Sequence, residues 1–303
     1  MKKFCLILFC LFGLPFHFFA QDQVHPHLEY LTSNQLAGRE TGTEGIHLAA
    51  TYIENVFKKN KVQALYTTYR DSFDIKKNVG YNIIGLVEGS DAKLKDELIL
   101  IGAHYDHIGV IKAVAGDSIA NGANDNASGT VAVMELAKHF AKNPPKRSLV
   151  FVLFAAEEMG LVGSKHLAKR MKKENQNIYA VFNIEMIGVA MKNKSFSAYM
   201  TGFEMSNFAE KFNAYAGAEV LGFLPEAKNY QLFKRSDNYP FYQEFKVPSQ
   251  TVSTFDFTNY DYYHHVNDEA AELDIQHIQN LIEAFIPGLE GMANADEKEI
   301  KLN

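Results

Sequence analysis

Two adjacent glutamates, Glu157 and Glu158, directly follow an apolar run in the stretch FVLFAAEEMGLVGS, where a buried strand is expected to end. Other acidic and imidazole side chains lie at similar places along the chain, and these are His104, Asp106, Asp125, Glu185 and His264. Like charges a few ångströms apart cannot all ionise, and a buried carboxylate without a partner is strongly destabilising. No Lys or Arg lies within these motifs. Bound divalent cations are therefore the simplest way to neutralise such a site.

The residue types indicate which cation would bind. Two imidazoles with carboxylates and no thiolates suit Zn²⁺ better than Ca²⁺ or Mg²⁺, although Mn²⁺ or Co²⁺ could use the same ligands. Because a catalytic zinc keeps one open position, two zinc ions that share a bridging carboxylate need five protein ligands. The candidates number five: His104, Asp125, Glu158, Glu185 and His264. Glu157 is left over, and we predict that it is a general base that takes a proton from a metal-bridging water.

The elements that must position these residues follow from alternating apolar and amphipathic segments. Strand-like apolar runs occur at 81–89, 97–105, 148–156, 180–188 and 248–255. Helical spacing of apolar residues occurs at 46–57, directly after 121–129, and near 278–285. This alternation predicts an α/β fold whose largely parallel sheet is covered by helices on both faces. In such sheets, functional residues lie just beyond the carboxyl ends of the strands.

Two assignments depend on local spacing. Because successive residues of a strand point to opposite faces, His104 and Asp106 share one face while His107 points to the other. Two histidines compete in the motif DYYHHVND. The tyrosine that precedes His264, and an aspartate four residues after it, favour His264 over His265.

The N-terminal residues are typical of an export signal. A pair of lysines precedes the apolar run FCLILFCLFGL, and the segment ends at Ala20, which predicts a signal peptide at 1–20. Gly13 and Pro15 interrupt the apolar run, which argues against a permanent membrane anchor. We therefore expect a periplasmic or secreted protein with no stable membrane span after cleavage.

Length and composition agree with one large domain. The chain has 303 residues, of which 47% are hydrophobic, and this is enough to bury a sizeable core. We expect a single domain at 21–303, with the charged residues at about 294–303 forming a frayed tail. Cys5 and Cys10 both lie in the signal segment, so the mature chain would have no disulfide and no thiolate metal site. Acidic residues outnumber basic ones, 36 to 30, and no basic stripe indicates nucleic-acid binding.

Several motifs follow one another along nearly the whole mature chain. They are YLTSNQLAGRETGTEGIHLAATYIENVF, AHYDHIG, NGANDNASG, AAEEMGLVGS, NIEMIG, SDNYPF and YYHHVNDEAAELD, and the first contains Gly38, Arg39 and Gly42. Together they resemble the M28 family of dizinc metallopeptidases, whose best known members are bacterial aminopeptidases. The resemblance implies a single globular α/β domain of the zinc-dependent exopeptidase type, with a mixed, mostly parallel central sheet and helices on both faces.

The resemblance also implies a role for each candidate residue. Five residues would hold two zinc ions: His104 and Glu185 on one ion, Glu158 and His264 on the other, and Asp125 bridging both. Three more would act in catalysis: Glu157 as general base, Asp106 by orienting His104, and Tyr263 by stabilising the tetrahedral oxyanion.

Two positions depart from the common family pattern. Glu185 stands where aspartate is commonest, so one extra methylene group must be accommodated near the metal. Asn238 stands where histidine is frequent. A third feature, a cis peptide bond after the bridging aspartate, is often found in the family and is expected between Asp125 and Asn126.

These observations predict an exported dizinc aminopeptidase that hydrolyses peptides with a free N-terminus. One alternative is a glutaminyl-peptide cyclase that uses a single zinc, which the two complete metal half-sites argue against. Another is a non-catalytic binding module on the same fold, although relatives of that kind usually lose metal ligands. The aromatic run at 255–263 is compatible with either the core or a wall of the substrate pocket. Oligomeric state, preferred N-terminal residue and peptide length are left undetermined.

Overall fold

The computed structural model describes residues 24–75 and 78–303. The signal peptide predicted at 1–20 lies outside these residues. Within the described ranges, no helix combines the length and the apolar character that crossing a bilayer requires.

Strands and helices alternate along the described part of the chain. The strands are β1 (Gln63–Ala64), β2 (Arg70–Ile75), β3 (Asn78–Val87), β4 (Leu98–His104), β5 (Val110–Val114), β6 (Asp117–Ile119), β7 (Leu149–Phe154), β8 (Ile178–Ile184), β9 (Ala198–Met200), β10 (Leu221–Gly222) and β11 (Ser249–Ser253). The α-helices are α1 (Val24–Leu31), α2 (Glu44–Lys59), α3 (Gly129–Lys142), α4 (Val162–Lys173), α5 (Phe208–Ala216), α6 (Pro225–Asn229), α7 (Asn238–Phe245) and α8 (Ile275–Asn294). The five predicted strand runs correspond to β3, β4, β7, β8 and β11, and the predicted helices to α2, α3 and α8.

The main sheet has nine strands in the order β1-β3-β7-β4-β8-β11-β9-β10, with β2 paired to β3. The four central strands β7, β4, β8 and β11 are mutually parallel. Antiparallel pairs join β3 to its neighbours on one side and β9 to β11 on the other. The predicted α/β fold with a mixed sheet is confirmed, and its parallel pairing is concentrated in the centre. The carboxyl ends of β4, β7 and β8 therefore lie side by side at one end of the sheet.

Helices cover both faces of these central strands, as predicted. Phe151 of β7 points into a core layer shared with α1, α2, α3, α5 and α8. Its neighbours Val150 and Val152 point the other way and pack with Met171 of α4 and Phe241 of α7. Because both faces are covered, the strand is apolar at every position, which explains the unbroken run LVFVLF.

The C-terminal tail differs from the prediction that 294–303 would be frayed. Ile300 is only 2% exposed, and its N–H donates to the Tyr179 hydroxyl at 2.9 Å. Leu302 forms an antiparallel bridge with Ser206. The prediction was wrong because the charges of ADEKEIKLN surround two alternating apolar residues, which suit a short extended segment packed on the domain.

Replacing Ile300 with alanine should destabilise the fold because it removes a buried side chain from this contact. We expect the free energy of unfolding to fall by about 2–5 kcal/mol, the range for such core truncations. Urea denaturation at a fixed metal content measures the change. The matched control is Lys301→Ala at an exposed neighbouring side chain, for which we expect a change below about 0.5 kcal/mol. Equal denaturation midpoints for the two variants would contradict a stabilising role of the tail.

Candidate metal centre

The predicted site residues meet where the parallel strands end. They come from separate segments: His104 at the end of β4, Glu157 and Glu158 just after β7, Glu185 directly after β8, Asp125 in the turn before α3, and His264 in the loop between β11 and α8. Because β7, β4 and β8 are adjacent and parallel, their carboxyl ends bring these side chains to one place. Glu185 lies one position beyond β8 and not inside the strand, where it was predicted.

Asp125 lies at the centre of the group. Its Oδ1 is 3.3 Å from His104 Nε2, and its Oδ2 is 3.2 Å from His264 Nε2. The same His264 nitrogen is 3.1 Å from Glu158 Oε2. The Asp125–Asn126 peptide bond is cis, as the family resemblance implies. Each oxygen of one buried carboxylate thus faces a different histidine, which is the arrangement that a bridging ligand requires.

Several buried atoms of this group have no hydrogen-bond partner among the described residues. They are His104 Nε2, His107 Nε2, Glu185 Oε2 and His264 Nε2. The contacts of His104 and His264 with Asp125 are short enough for hydrogen bonds but lack hydrogen-bond alignment, a state that buried polar atoms rarely adopt. Zinc bonds of about 2.0–2.1 Å in a tetrahedral site place neighbouring ligand atoms about 3.3 Å apart. The observed separations therefore fit ligands that point at shared ions.

His107 joins this group, although the sequence predicted that it would point to the opposite face. Four residues, His107, Asp125, Glu158 and His264, each offer one ligand atom within 4.8 Å of the others. The His107 Nδ1 atom is 3.0 Å from Glu158 Oε1. The alternation rule failed because β4 ends at His104, so His107 lies in a loop that the strand geometry does not govern. The only sign in the sequence that His107 could join the site was its place as the second histidine of AHYDHIG.

Asp106 contacts both His104 and Glu157. The His104 Nδ1 atom lies 3.2 Å from the Asp106 carbonyl oxygen and 3.7 Å from its carboxylate. The Glu157 N–H donates to Asp106 Oδ1 at 3.2 Å. A donor role for Nδ1 would leave Nε2 of His104 as the free nitrogen, which is the tautomer that a metal ligand needs.

The site carries an excess of negative charge away from solvent. Burial raises the pKa of Glu157 well above its usual range, and the nearby Glu185 and Asp237 carboxylates raise it further against the opposing effect of His104. Burial likewise raises the pKa of Glu185 and raises that of Asp237 to about 7. Burial and mutual repulsion thus oppose the ionisation of these carboxyl groups, and a bound cation would stabilise their ionised forms.

A cavity of about 630 Å³, which includes its opening to solvent, adjoins the acidic group. Its acidic lining consists of Asp125, Glu157, Glu158 and Glu185, and its aromatic lining of Tyr199, Phe255, Phe257 and Tyr263. The Tyr263 ring stacks on the His264 ring with centroids 4.0 Å apart. Part of the aromatic run at 255–263 therefore forms a wall of this cavity.

Two residues that the sequence left in question lie outside the cluster. The His265 Nδ1 atom accepts the Asn267 N–H at 3.0 Å, so this ring nitrogen is used within its own loop. Asn238 is buried, and its side-chain amide donates to the carbonyls of Phe233 and Ser249 at 3.1 and 3.0 Å. These contacts favour His264 as the ligand and give Asn238 a role in joining α7 to β11.

Comparison with known proteins places this geometry in context. The profile of Peptidase family M28 matches residues 82–287. The chain is similar to aminopeptidase YwaD of Bacillus subtilis (strain 168), with 31% identity over 163 residues that cover 54% of this chain and 33% of that protein. The matched segment thus spans about a third of the relative's length.

Solved structures share the fold. The zinc aminopeptidase BSAP from Bacillus subtilis superposes with a TM-score of 0.70 at 15% identity, covering 90% of this chain and 95% of that one. The glutaminyl cyclase of Porphyromonas gingivalis gives a TM-score of 0.68 at 15% identity, covering 88% and 96%. At such low identity the similarity establishes the fold and does not distinguish the two reactions.

A bridging position for Asp125 predicts that Asp125→Ala removes both of two bound ions, because each ion would lose a ligand. We expect about two zinc ions per wild-type chain and fewer than one in the variant. Elemental analysis after gel filtration in zinc-free buffer gives these numbers. His265→Ala is the matched control and should keep both ions. Two ions in Asp125→Ala would exclude a bridging position for this residue.

Proposed function

This chain belongs to peptidase family M28, and on that premise we propose that it is a dizinc aminopeptidase that removes residues from the N-termini of peptides. The observation that carries the proposal is the placement of Asp125, which directs one oxygen at His104 and the other at His264. A bridging carboxylate between two histidines is suited to hold a pair of ions. The name of the similar protein YwaD, an aminopeptidase, supports the choice of reaction.

The proposed metal ligands divide into two halves. We assign His104 and Glu185 to one zinc, Glu158 and His264 to the other, and Asp125 to both. When bound, zinc would supply a Lewis acid that polarises the scissile carbonyl and lowers the pKa of water. Glu185 has a buried, unpartnered Oε2, so its carboxylate is available as a ligand despite the longer side chain. His107 contacts Glu158 through Nδ1 and would orient that carboxylate.

Glu157 is the residue that we assign to proton transfer. Its side chain lines the cavity beside the proposed ligands, and its backbone N–H is held by Asp106. As the oxygen of water attacks the scissile carbonyl carbon, Glu157 accepts the proton of that water and then passes it to the departing amine nitrogen. Tyr263 also lines this cavity, and its hydroxyl would donate to the carbonyl oxygen as negative charge develops there.

The same cavity would hold the first residue of the substrate. Carboxylates beside the proposed ions would favour a positively charged α-ammonium group, which would restrict cleavage to peptides with a free N-terminus. The aromatic side chains of Phe255, Phe257 and Tyr199 form an apolar lining. We therefore expect apolar first residues to be preferred over charged ones.

Export is the remaining part of the proposal. The lysine pair and apolar run at 1–20 support a cleaved signal peptide and a periplasmic or secreted location. A mature chain without cysteine has no thiol that an oxidising compartment could convert to a disulfide.

A panel of amino-acid arylamides tests the reaction. We expect hydrolysis of Leu- and Phe-arylamides, loss of at least about 100-fold in kcat/KM for N-acetylated controls, since these lack the α-ammonium charge, and loss of activity with a chelator that zinc restores. Gln-peptides are included to detect pyroglutamate. Cyclisation of these peptides without hydrolysis of any arylamide would identify a cyclase and overturn the proposal. Absence of both reactions in the zinc-loaded protein would favour a binding module.

Glu157→Gln should separate metal binding from proton transfer. The amide keeps the shape of the side chain but cannot accept the proton, so we expect kcat to fall by about 10²–10⁴-fold. Zinc content should remain that of the wild type, because Glu157 is not a proposed ligand. Steady-state kinetics and elemental analysis of the same preparation measure both quantities. Wild-type turnover in Glu157→Gln would rule out this residue as the general base.

A further inference from the structure

The loop that carries Asp125 is held through its backbone by two buried, oppositely charged side chains. Arg39 comes from the N-terminal motif, and Asp268 lies four residues after His264. Both are buried, with exposures of 1% and 0%. Neither has a role in the chemistry described above, so their placement requires another explanation.

Arg39 joins this loop to the end of β4. Its Nε donates to the Tyr105 carbonyl at 2.9 Å, between His104 and Asp106 in the sequence. Its terminal nitrogens donate to the carbonyls of Asn121 and Gly122 at 2.6 and 2.9 Å. A further bond from Nη1 reaches the Leu31 carbonyl at the end of α1. One guanidinium group thus fixes the separation between the backbone beside His104 and the loop that leads to Asp125.

Asp268 joins the same loop to the segment of His264. Its Oδ1 accepts the Asn124 N–H at 2.7 Å, and its Oδ2 accepts the Asp125 N–H at 3.1 Å. Its carbonyl accepts the Ala123 N–H at 3.0 Å. The Tyr260 hydroxyl donates to Oδ1 at 2.6 Å and holds the carboxylate in place. Arg39 therefore binds the carbonyls of residues 121 and 122, and Asp268 binds the N–H groups of residues 123–125.

We propose that Arg39 and Asp268 are positioning residues that each set one half of the metal centre. Arg39 governs the distance between His104 and Asp125, and Asp268 governs the distance between His264 and Asp125. This inference rests on the two-metal centre proposed above. It goes beyond that proposal because it assigns an effect on metal affinity to two residues outside the proposed ligand set. The side chain of Arg39 contacts none of the proposed ligands, and that of Asp268 contacts only the backbone N–H of Asp125.

Arginine is required at this position by geometry as well as by charge. Its planar fork donates to carbonyls in three segments at once, which the single ammonium group of lysine cannot do. The chain also comes unusually close here, since a Cβ on Gly38 would lie 2.3 Å from the Ala120 carbonyl oxygen. The acceptors of Arg39 are all neutral carbonyls, and its charge interacts through space with Asp268 and Asp106 and, more weakly, with Asp125 and Glu158. No carboxylate oxygen of the described residues lies within ion-pair distance of it.

The test measures zinc affinity in proteins that retain one half of the centre. His264→Ala leaves the half with His104 and Glu185, and Glu185→Ala leaves the half with Glu158 and His264. Into each we introduce Arg39→Met, Arg39→Lys or Asp268→Asn, and determine zinc affinity by competition with a chromogenic chelator. Co²⁺ absorption spectra report the coordination geometry of the remaining ion.

We expect a loss of about 10–100-fold in affinity, as is found when residues behind metal ligands are changed. The Arg39 variants should lose more zinc affinity in the His264→Ala protein than in the Glu185→Ala protein. Asp268→Asn should lose more zinc affinity in the Glu185→Ala protein. The control is Arg147→Met, which removes another fully buried arginine, located before the start of β7 at the opposite end of the sheet. Arg147 binds the backbone carbonyls of Met292 and Ala295 and also the Glu97 carboxylate. Arg147→Met should lower the thermal midpoint and leave both zinc affinities unchanged. Arg39→Lys keeps the charge and provides a folded variant if Arg39→Met does not fold.

Two results would overturn the proposal. Unchanged zinc affinities in the Arg39 and Asp268 variants, with thermal midpoints lowered as in Arg147→Met, would show a purely structural role. If each variant lowered the zinc affinity equally in the His264→Ala and Glu185→Ala proteins, the assignment of one residue to each half would be wrong. The outcome is independent of the proposed reaction, because a wild-type chain that binds two zinc ions but hydrolyses no arylamide would refute only the aminopeptidase proposal. A wild-type chain that binds no zinc would refute both.

Discussion

The concentration of negative charge in one buried region is the constraint on which the rest of the site depends. Asp125, Glu157, Glu158 and Glu185 line a single cavity, and burial raises the pKa of Glu157 and Glu185. Carboxylates this close cannot remain ionised away from water without positive charge between them. A bound cation would meet this requirement. It would also account for the two histidines that face Asp125 and for the buried histidine nitrogens without a hydrogen-bond partner among the described residues.

Much of the fold and most of the site could be predicted because the relevant patterns are local. The central strands are buried on both faces, so their sequences are apolar throughout and easily recognised. Each strand end is marked by polar residues such as His104 or Glu157. Since parallel strands end at the same end of a sheet, knowing the strands is enough to bring these residues together without knowing the packing.

The features that were missed depend on contacts between distant segments. The side chain of His107 turns towards Glu158 because β4 ends three residues earlier, and that end is set by the surrounding loops. Arg39 reaches Tyr105 and Gly122, which are 66 and 83 residues away in the sequence. The order of the tail depends on Ile300 meeting Tyr179, 121 residues earlier. The local periodicity of the sequence does not predict such contacts.

Arg39 lies near the acidic group but forms no ion pair with any carboxylate of the described residues. A lysine or arginine within ion-pair distance of Asp125 or Glu158 would neutralise these carboxylates, but it would occupy the oxygens that zinc must use. Arg39 is instead bound to backbone carbonyls, so it leaves those oxygens free. Its positive charge thus adds to that of the proposed ions without competing for their ligands.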